Sequence, residues 1–402
     1  MSGRLATIAG AVTLAFAAFA CALAWRPNSP LHPTQGGLVT GSAPLFLALL
    51  AASFSAYLVA LAAMRRRAPS LRLVVALAAA IQLVPLASPL LLSTDAWTYW
   101  SYGWIGTRGH GNPYSEPPES FPGNPAIPFM GAAWTDTTSV YGPAFTLASE
   151  PLALVSGDSQ AVAAWSYKAL AAVAALASAL LAGRLARRRA LAVAFVGWNP
   201  LLAVHLAGGG HNDAWVGALI MAALALSASR RLQAAGVMWA LAIATKWVPL
   251  LFLALRAAEA RATGRQTAHS GFAITAGALA VTASLFYGGA WPLAIVPLAG
   301  NAALETSYAI PHRLEQIGVP SAVALTLAVA ALVSGLAWLW REASRGRARL
   351  ALAACLVLVT TPYLAVWYLA WAVPLAAAEE DAVAKAVCLG LCVYLLPQTI
   401  PL

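Results

Sequence analysis

The chain has 402 residues, of which 61% are hydrophobic and only 9% are charged, and its formal net charge is +10. So small a charged fraction excludes an ordinary soluble domain, and repeated apolar runs of helix-spanning length predict an all-α polytopic membrane protein. The positive charge lies in short connectors such as Arg65–Arg67 and Arg187–Arg189. This is the positive-inside pattern of cytoplasmic loops, and it excludes nucleic acid as a partner.

The apolar stretches predict a transmembrane helix bundle with roughly 11–13 membrane segments. We expect one integral membrane domain over residues 1–402, with N-terminal helices in 1–70 and no separate soluble domain. The first stretch resembles a signal peptide but is long for one, so we expect it to be retained as a helix. The stretches lie at about 5–24, 43–64, 71–92, 161–183, 190–207, 213–229, 270–290, 320–340, 350–363, 364–378 and 385–401.

Two further apolar blocks do not fit a simple crossing. Residues 232–256 contain Lys246 and Pro249 and have basic residues on both flanks, so both ends are expected in the cytoplasm. A two-limbed hairpin that turns near Lys246 satisfies this constraint best. Residues 141–156 are also apolar, but the orientation of the chain requires them to lie at the interface or to re-enter the membrane.

With the basic loops inside, three segments are expected on the extracytoplasmic side: residues 93–140, the turn at 208–213, and residues 291–319. Residues 361–371, at the tip between two predicted helices, are expected on the same side. The charges of this face are Asp95, Glu116, Glu119, Asp136, Asp213, Glu305 and Glu315 against Arg108 and Arg313. Carboxylates, aromatic residues and irregular turns therefore collect on one side of the membrane, where we expect the functional site.

The turn Gly208–Asp213 has the sequence Gly-Gly-Gly-His-Asn-Asp and lies between two strongly apolar segments. A charged group within a bilayer costs about 2.5–3.5 kcal/mol on insertion scales, so such residues are functional candidates. His211 and Asp213 are two candidate metal ligands, but two ligands do not make a metal site, and we expect no required metal or other cofactor.

The loop at 93–140 is longer than a connector needs and is rich in Trp, Tyr, Gly and Pro. Its aromatic residues fit a membrane-interface belt, and they equally suit the faces of sugars. Asp95 lies just beyond the third predicted helix, where a half-desolvated carboxylate can accept a proton from a hydroxyl nucleophile. On spacing alone, a helix N-cap is the favoured interpretation of Asp95.

Several motifs resemble those of one enzyme family. They are Asp95 with Tyr99 and Gly103, Gly109 with Asn112-Pro113-Tyr114, Tyr141-Gly142-Pro143, Asn199-Pro200-Leu201-Leu202, His205, Gly208–Ala214, Ala244-Thr245-Lys246 with Pro249, and Pro362-Tyr363 with Trp367–Trp371. Together they resemble the polyprenol-phosphate-mannose-dependent α-1,6-mannosyltransferases of the mycobacterial lipomannan type, within the GT-C superfamily. In the last motif, Ala365 and Val366 occupy places where that segment often carries His-Pro.

The resemblance implies a GT-C-like bundle in the bacterial plasma membrane, with residues 93–140 as a catalytic extracytoplasmic loop. It implies transfer of mannose from a polyprenyl-phosphate-mannose donor to a glycolipid or glycan acceptor, with inversion and with membrane lipids as neighbours. Asp95 matches the catalytic base of the external loop. The expected donor-phosphate ligands are Lys246, Arg313, His211 and Tyr368. The expected substrate-binding residues are Tyr99, Asn112, Tyr114, Tyr141, Asn212, Asp213 and Trp367.

Other interpretations remain open from the residues. The breaks around Lys246 also fit a midplane site of a lipid or small-solute transporter, and a non-catalytic envelope scaffold or a different polyprenyl-linked sugar fits as well. Lys246 and Lys168 could each be a snorkelling lysine or the partner in an internal ion pair. This role fits Lys168 better than Lys246. His205 and the four cysteines are expected to be packing residues.

Overall fold

The computed structural model describes residues 2–33, 41–266, 269–295, 300 and 306–402; Glu305, predicted on the external face, lies outside them. The described residues form helices joined by turns and irregular segments, with no β-strand among them. This confirms the prediction of an all-α protein. All four cysteines are buried and free, in keeping with packing residues.

The helices are labelled in chain order. The first part of the chain contains α1 (Ser2–Ala22), α2 (Ser42–Arg66), α3 (Leu71–Leu83), α4 (Asp95–Thr107), α5 (Pro143–Ser156), α6 (Gln160–Leu185), α7 (Arg189–Gly197), α8 (Pro200–Leu202) and α9 (Asp213–Ala228). The second part contains α10 (Leu232–Thr245), α11 (Pro249–Thr263), α12 (His269–Tyr287), α13 (Ile310–Gln316), α14 (Ser321–Ser344), α15 (Leu350–Thr360), α16 (Leu369–Glu379) and α17 (Ala382–Tyr394).

Within the described ranges, 5 helices are long and apolar enough to cross a membrane: α1, α2, α6, α12 and α14. A bent pair, Arg189–Gly197 with Pro200–Ala207, passes the same test as one unit with a bend of 43°. Shorter apolar helices of 10–17 residues account for much of the remainder. The protein is therefore a polytopic helical membrane protein, and the total of roughly 11–13 membrane segments stays a prediction.

Helix α6 lies at the centre of the bundle, where it packs against α3, α4, α5, α7, α9 and α16. Its buried positions include a series of small residues, among them Ala171, Ala175, Ser178 and Ala182. Small side chains allow helix backbones to approach closely, which is the main source of packing between membrane helices. α4 and α9, which carry Asp95 and Asp213 as their first residues, are thereby held against one common helix.

The predicted helix at 190–207 is wrong as a single element. α7 ends at Gly197, and Asn199 caps the next turn through its side chain, which accepts hydrogen bonds from the backbone N–H groups of Leu201 and Leu202. Pro200 cannot donate the hydrogen bond that an uninterrupted helix would need. Ala203–Ala207 then forms a turn of π-helix, a form that is frequent at functional sites.

Two other predicted boundaries differ from the structure. The helix predicted at 71–92 stops at Leu83 and is followed by a short 3₁₀ segment that contains Pro85. The helix predicted at 385–401 is α17, which begins at Ala382 because the Asp381 carboxylate caps it. Residues 232–256 form two helices, α10 and α11, with a break at Lys246–Val248, where the turn of the hairpin was predicted; the hairpin itself stays a prediction.

Lys168 is buried in the middle of α6 rather than snorkelling to the surface. Its Nζ donates to the backbone carbonyls of Ser88 and Pro89, with the Pro89 oxygen 3.0 Å away. The same segment is fixed by a hydrogen bond from Leu91 N–H to the Gly208 carbonyl, 2.9 Å. Lys168 thus holds the connection that leads into Asp95, and its partners are carbonyls rather than the carboxylate of an ion pair.

We expect Lys168→Met to lower the thermal unfolding midpoint of the detergent-solubilised protein. The substitution leaves the Ser88 carbonyl without its donor and removes one of two donors from the Pro89 carbonyl, and an unsatisfied buried acceptor costs about 1–3 kcal/mol. Lys385→Met, at a partly exposed site, is the matched control and should change the midpoint little. Equal midpoints for the two variants would contradict this role of Lys168.

Candidate active site

The turn His211–Asp213 is buried, and its backbone is shaped by the glycines before it. Gly210 has φ +71°, a conformation that residues with a side chain rarely adopt, and a Cβ there would lie only 3.2 Å from the Cβ atoms of Ala96 and Tyr167. The turn therefore fits tightly between α4 and α6. α9 begins at Asp213, so the three polar side chains lie where the connection from α8 enters a new helix.

Asp95 is contacted by this turn and by its own helix. His211 Nδ1 lies 3.2 Å from Asp95 Oδ2, and Tyr99 donates its hydroxyl proton to the same oxygen at 3.3 Å. Tyr99 is also 3.5 Å from Asn212 Oδ1. The N-cap interpretation of Asp95 is wrong: Thr94 is the N-cap and Asp95 is the first residue of α4. Its carboxylate faces the turn, and a negative charge in the first turn also suits the helix dipole.

The environment of Asp95 favours its ionised form. Burial opposes ionisation, but the close contact with His211, together with the charge of Lys246, outweighs it. The pKa of Asp95 therefore lies below its usual value. A carboxylate held in this way is charged throughout the neutral pH range and can accept a proton or a hydrogen bond.

Lys246 and Asp213 form the second charged contact of the site. Lys246 Nζ lies 2.7 Å from Asp213 Oδ1, with 1% of the Asp213 side chain exposed and 14% of the Lys246 side chain exposed. Lys246 follows the last residue of α10, where the backbone is extended, so the helix break turns its side chain toward α9. Gly142 N–H donates to the Thr245 carbonyl at 3.1 Å, which joins the Tyr141-Gly142-Pro143 motif directly to the lysine motif.

Stacked aromatic rings form the wall beside these charges. The ring of Trp367 stacks on His211 with centroids 3.8 Å apart and planes at 13°. Tyr368 stacks on Trp371 at 4.4 Å, and Lys246 Nζ lies 4.7 Å from the centre of the Tyr368 ring. Cation–π contacts of this kind stabilise an ammonium group without neutralising it. Tyr141 packs edge-on against Tyr99 at 5.1 Å and completes the wall near Asp95.

Several buried polar atoms of the turn have no hydrogen-bond partner within the described part of the chain. They are both ring nitrogens of His211, Asn212 Nδ2 and Asp213 Oδ2, together with the indole N–H of Trp371. Leaving such atoms unpaired costs about 1–3 kcal/mol each, so clusters of them call for an explanation. Hydroxyl or phosphate oxygens of a polar ligand would accept from the donors, and a hydroxyl would donate to the free carboxylate oxygen.

The structure brings nine of the predicted residues together through these contacts: Asp95, Tyr99, Tyr141, His211, Asn212, Asp213, Lys246, Trp367 and Tyr368. Their roles stay predictions. Sequence reasoning missed Trp371 as a member of this wall. The available signal was its position three residues after Tyr368, on the same face of a helix.

The other three predicted residues make most of their polar contacts with other segments. Asn112 donates to the Tyr287 carbonyl at 2.8 Å. The Tyr114 hydroxyl donates to Thr146 at 2.8 Å and lies 3.0 Å from the Tyr141 carbonyl.

Arg313 is the third of these residues: it donates to the Tyr394 hydroxyl at 3.2 Å and lies over the Tyr308 ring. Across the described ranges, no group of three or more His, Cys, Asp or Glu residues could hold a metal ion.

These features define the class of the protein. It is a polytopic membrane protein with a polar, aromatic-lined site, in which a buried turn contacts a carboxylate and a lysine beside stacked aromatic rings. Residues 4–260 match the family described as α-(1→6)-mannopyranosyltransferase, N-terminal domain, and the chain belongs to this family. Asp95, the His211–Asp213 turn and Lys246 all lie inside the matched region; Trp367 and Tyr368 lie beyond it.

Two relatives show how far the similarity extends. The chain is 25% identical over 260 residues to α-(1→6)-mannopyranosyltransferase A of Corynebacterium glutamicum, which is 58% of this chain and 52% of the relative. It is 30% identical over 168 residues to the protein of the same name from Mycobacterium tuberculosis, which is 40% of this chain and 32% of the relative. The matched stretch thus spans about half or less of these relatives. No solved structure is significantly similar to the chain.

We expect the buried Lys246–Asp213 pair to show strong energetic coupling in a double-mutant cycle. Lys246→Met leaves the Asp213 carboxylate buried without its cation, and breaking a buried pair in this way costs about 3–5 kcal/mol. The double variant Lys246→Met/Asp213→Asn should recover much of that loss. The measurement is the free energy of unfolding in detergent micelles titrated with sodium dodecyl sulfate.

The exposed pair Arg108–Asp158, at 3.0 Å, provides the control cycle through Arg108→Gln and Asp158→Asn. Exposed ion pairs contribute about 0–1 kcal/mol, so little coupling is expected there. Equal coupling in the two cycles would show that the Lys246–Asp213 pair does not behave as a buried pair.

Proposed function

We propose that this protein is a membrane mannosyltransferase that transfers mannose from a polyprenyl-phosphate-mannose donor to a hydroxyl of a glycan or glycolipid acceptor, with an α-(1→6) product linkage. Membership of the family and the names of the two relatives support the sugar and the linkage. One observation carries the proposal. A single buried turn contacts a carboxylate through His211 and an ammonium group through Asp213, and glycosyl transfer from a lipid phosphate needs both groups.

Asp95 is the general base in this proposal. The acceptor oxygen forms a bond to the anomeric carbon while its proton passes to the Asp95 carboxylate. The low pKa of Asp95 keeps the group ionised and ready to accept that proton. Its weak basicity suffices because the attacking hydroxyl becomes much more acidic as the new bond forms. His211 and Tyr99, which both contact Oδ2, fix the direction of the carboxylate.

Lys246 binds the leaving group. The bond from the anomeric carbon to the phosphate oxygen breaks, and its electron pair leaves with polyprenyl phosphate. A cation near that oxygen stabilises the charge that develops there. Asp213 holds Lys246 in place from one side, while Tyr368 and Trp371 leave the ammonium charge free to attract the phosphate. His211 and the Tyr368 hydroxyl are further donors for the same group.

Displacement in line, with base and leaving group on opposite sides of the anomeric carbon, inverts that centre, so a β-linked donor gives an α-linked product. Trp367, Asn212 and Tyr141 are placed to contact the sugar or the acceptor. Asn112 and Tyr114 act through the loop, which they hold by hydrogen bonds to other segments. Binding of the donor phosphate by Arg313 stays a prediction, since its contacts are with Tyr394 and Tyr308. The basic loops on the opposite side support a reaction on the extracytoplasmic face.

We expect Asp95→Asn to lower the rate of mannose transfer by about 10²–10⁴-fold, because general-base catalysis typically contributes that factor. The assay uses purified protein in detergent with labelled polyprenyl-phosphate-mannose and a mannosyl-lipid acceptor. Asp136→Asn, on the exposed part of the same loop, is the matched control and should keep full activity. Thermal unfolding midpoints verify that both variants are folded.

Full transferase activity in Asp95→Asn would exclude the base assignment. A parallel assay with polyprenyl-phosphate-glucose tests the sugar, since product from that donor alone would overturn the choice of mannose. Solute flux into liposomes without any transfer product would favour a transporter instead.

His211→Gln is expected to shift the acidic limb of the rate profile to higher pH. His211 helps to hold the pKa of Asp95 below its usual value, while burial acts in the opposite direction. Removing the His211 contribution therefore raises the pKa of Asp95, and a larger fraction of the base is protonated at a given acidic pH. The measurement is kcat/KM against pH for the wild type and the variant. A lower rate with an unmoved acidic limb would show that His211 does not act through Asp95.

A further inference from the structure

A cavity of about 730 Å³ lies at the end of the bundle opposite the His211–Asp213 turn. It is an open cavity lined by the first turns of α3 and α7 and by the last turns of α6 and α9. α9 begins at Asp213 and ends at Ala228, so one helix links the candidate active site to this cavity. None of the residues that line the cavity has a part in the proposed transfer reaction.

The cavity has apolar walls and a cationic rim. Leu71, Val75 and Leu181 belong to the walls, while Arg184 and Arg189 are exposed at the rim. Arg184 Nη2 donates to the Ser229 hydroxyl at 3.1 Å, which places that guanidinium group across the mouth. Among the ion pairs of the described residues, none involves Arg184 or Arg189. Their charges are therefore available to a ligand.

The rim lies on the basic face of the protein, which the positive-inside rule assigns to the cytoplasm. At that level the lipid headgroups meet the acyl chains, and basic pockets between membrane helices bind anionic headgroups. Guanidinium groups form paired hydrogen bonds with phosphate oxygens. The volume lies in the range of about 300–1,000 Å³ that is usual for ligand sites, and it exceeds the needs of an inorganic anion.

We propose that this cavity binds an anionic phospholipid, with its phosphate on Arg184 and Arg189 and an acyl chain along the walls formed by Leu71, Val75 and Leu181. Charge complementarity selects the headgroup, and the apolar walls select a lipid over a soluble phosphate. The proposal is independent of the transferase activity, because it concerns the other end of the bundle.

Displacement of a fluorescent phosphatidylglycerol from the purified full-length protein in neutral detergent tests the proposal. Arg184→Gln/Arg189→Gln is expected to weaken phosphatidylglycerol binding at least about tenfold, which corresponds to about 1.4 kcal/mol. Arg65→Gln/Arg66→Gln removes the same charge from another exposed site on the basic face and should leave binding within about twofold. Arg184→Lys/Arg189→Lys, which keeps the charge, should retain most of the affinity.

Val75→Trp tests the cavity separately from its charge. The larger side chain fills the space for the acyl chain while both arginines stay, so phosphatidylglycerol should bind more weakly although the charge is unchanged. Thermal unfolding midpoints establish that this variant is folded, and the arginine variants decide the outcome if it is not. Three outcomes would each overturn the proposal. They are an equal loss of phosphatidylglycerol affinity in the two Arg→Gln double variants, an equal affinity for phosphatidylcholine, and displacement of the lipid by inorganic phosphate at lipid-like concentrations.

Discussion

The contact of one buried turn with two charged groups is the constraint on which the site depends. His211 lies against the Asp95 carboxylate, and Asp213 lies against the Lys246 ammonium group, with Asn212 between them. Charges are costly inside a membrane bundle unless they are paired and hydrogen-bonded. The turn meets that condition for both groups at once, so α4, α9 and α10 must keep their positions relative to one another for either charge to be tolerated.

Small residues and helix breaks make this arrangement possible. The turn fits between α4 and α6 because Gly210 has no side chain, and α10 ends next to Gly142, where a Cβ would lie 2.2 Å from the Ala244 carbonyl oxygen. Lys168 anchors the segment before Asp95 from inside α6. The irregular backbone is thus buried in protein, where its polar groups can be satisfied without lipid contact.

The sequence predicted the class of the fold and most members of the site. Composition and hydropathy indicated an all-α membrane bundle, and the cost of polar residues in apolar surroundings singled out Asp213 and Lys246. It could not predict that these two residues pair with each other, because the pairing depends on how α9 and α10 pack. The bend at Pro200 was predictable from the missing N–H of proline, whereas nothing in the sequence signals the π-helical turn that follows.

The dependence on packing also explains why some predicted residues lie away from the candidate site. Asn112 and Tyr114 belong to a sequence motif with Asp95, but the path of the loop brings them against Tyr287 on α12. Loop paths are set by tertiary contacts that local sequence does not encode. Proximity in a motif therefore does not show which side chains share the candidate site.

A structure of the protein with polyprenyl-phosphate-mannose bound would show whether Lys246 and Asp95 act on the donor. We expect the donor phosphate within hydrogen-bond distance of Lys246 Nζ, and the anomeric carbon between that phosphate and the Asp95 carboxylate. The sugar should also contact the free polar atoms of Asn212 or Trp371. A donor whose phosphate lies away from Lys246, with the Lys246–Asp213 and His211–Asp95 contacts remote from the sugar, would contradict it.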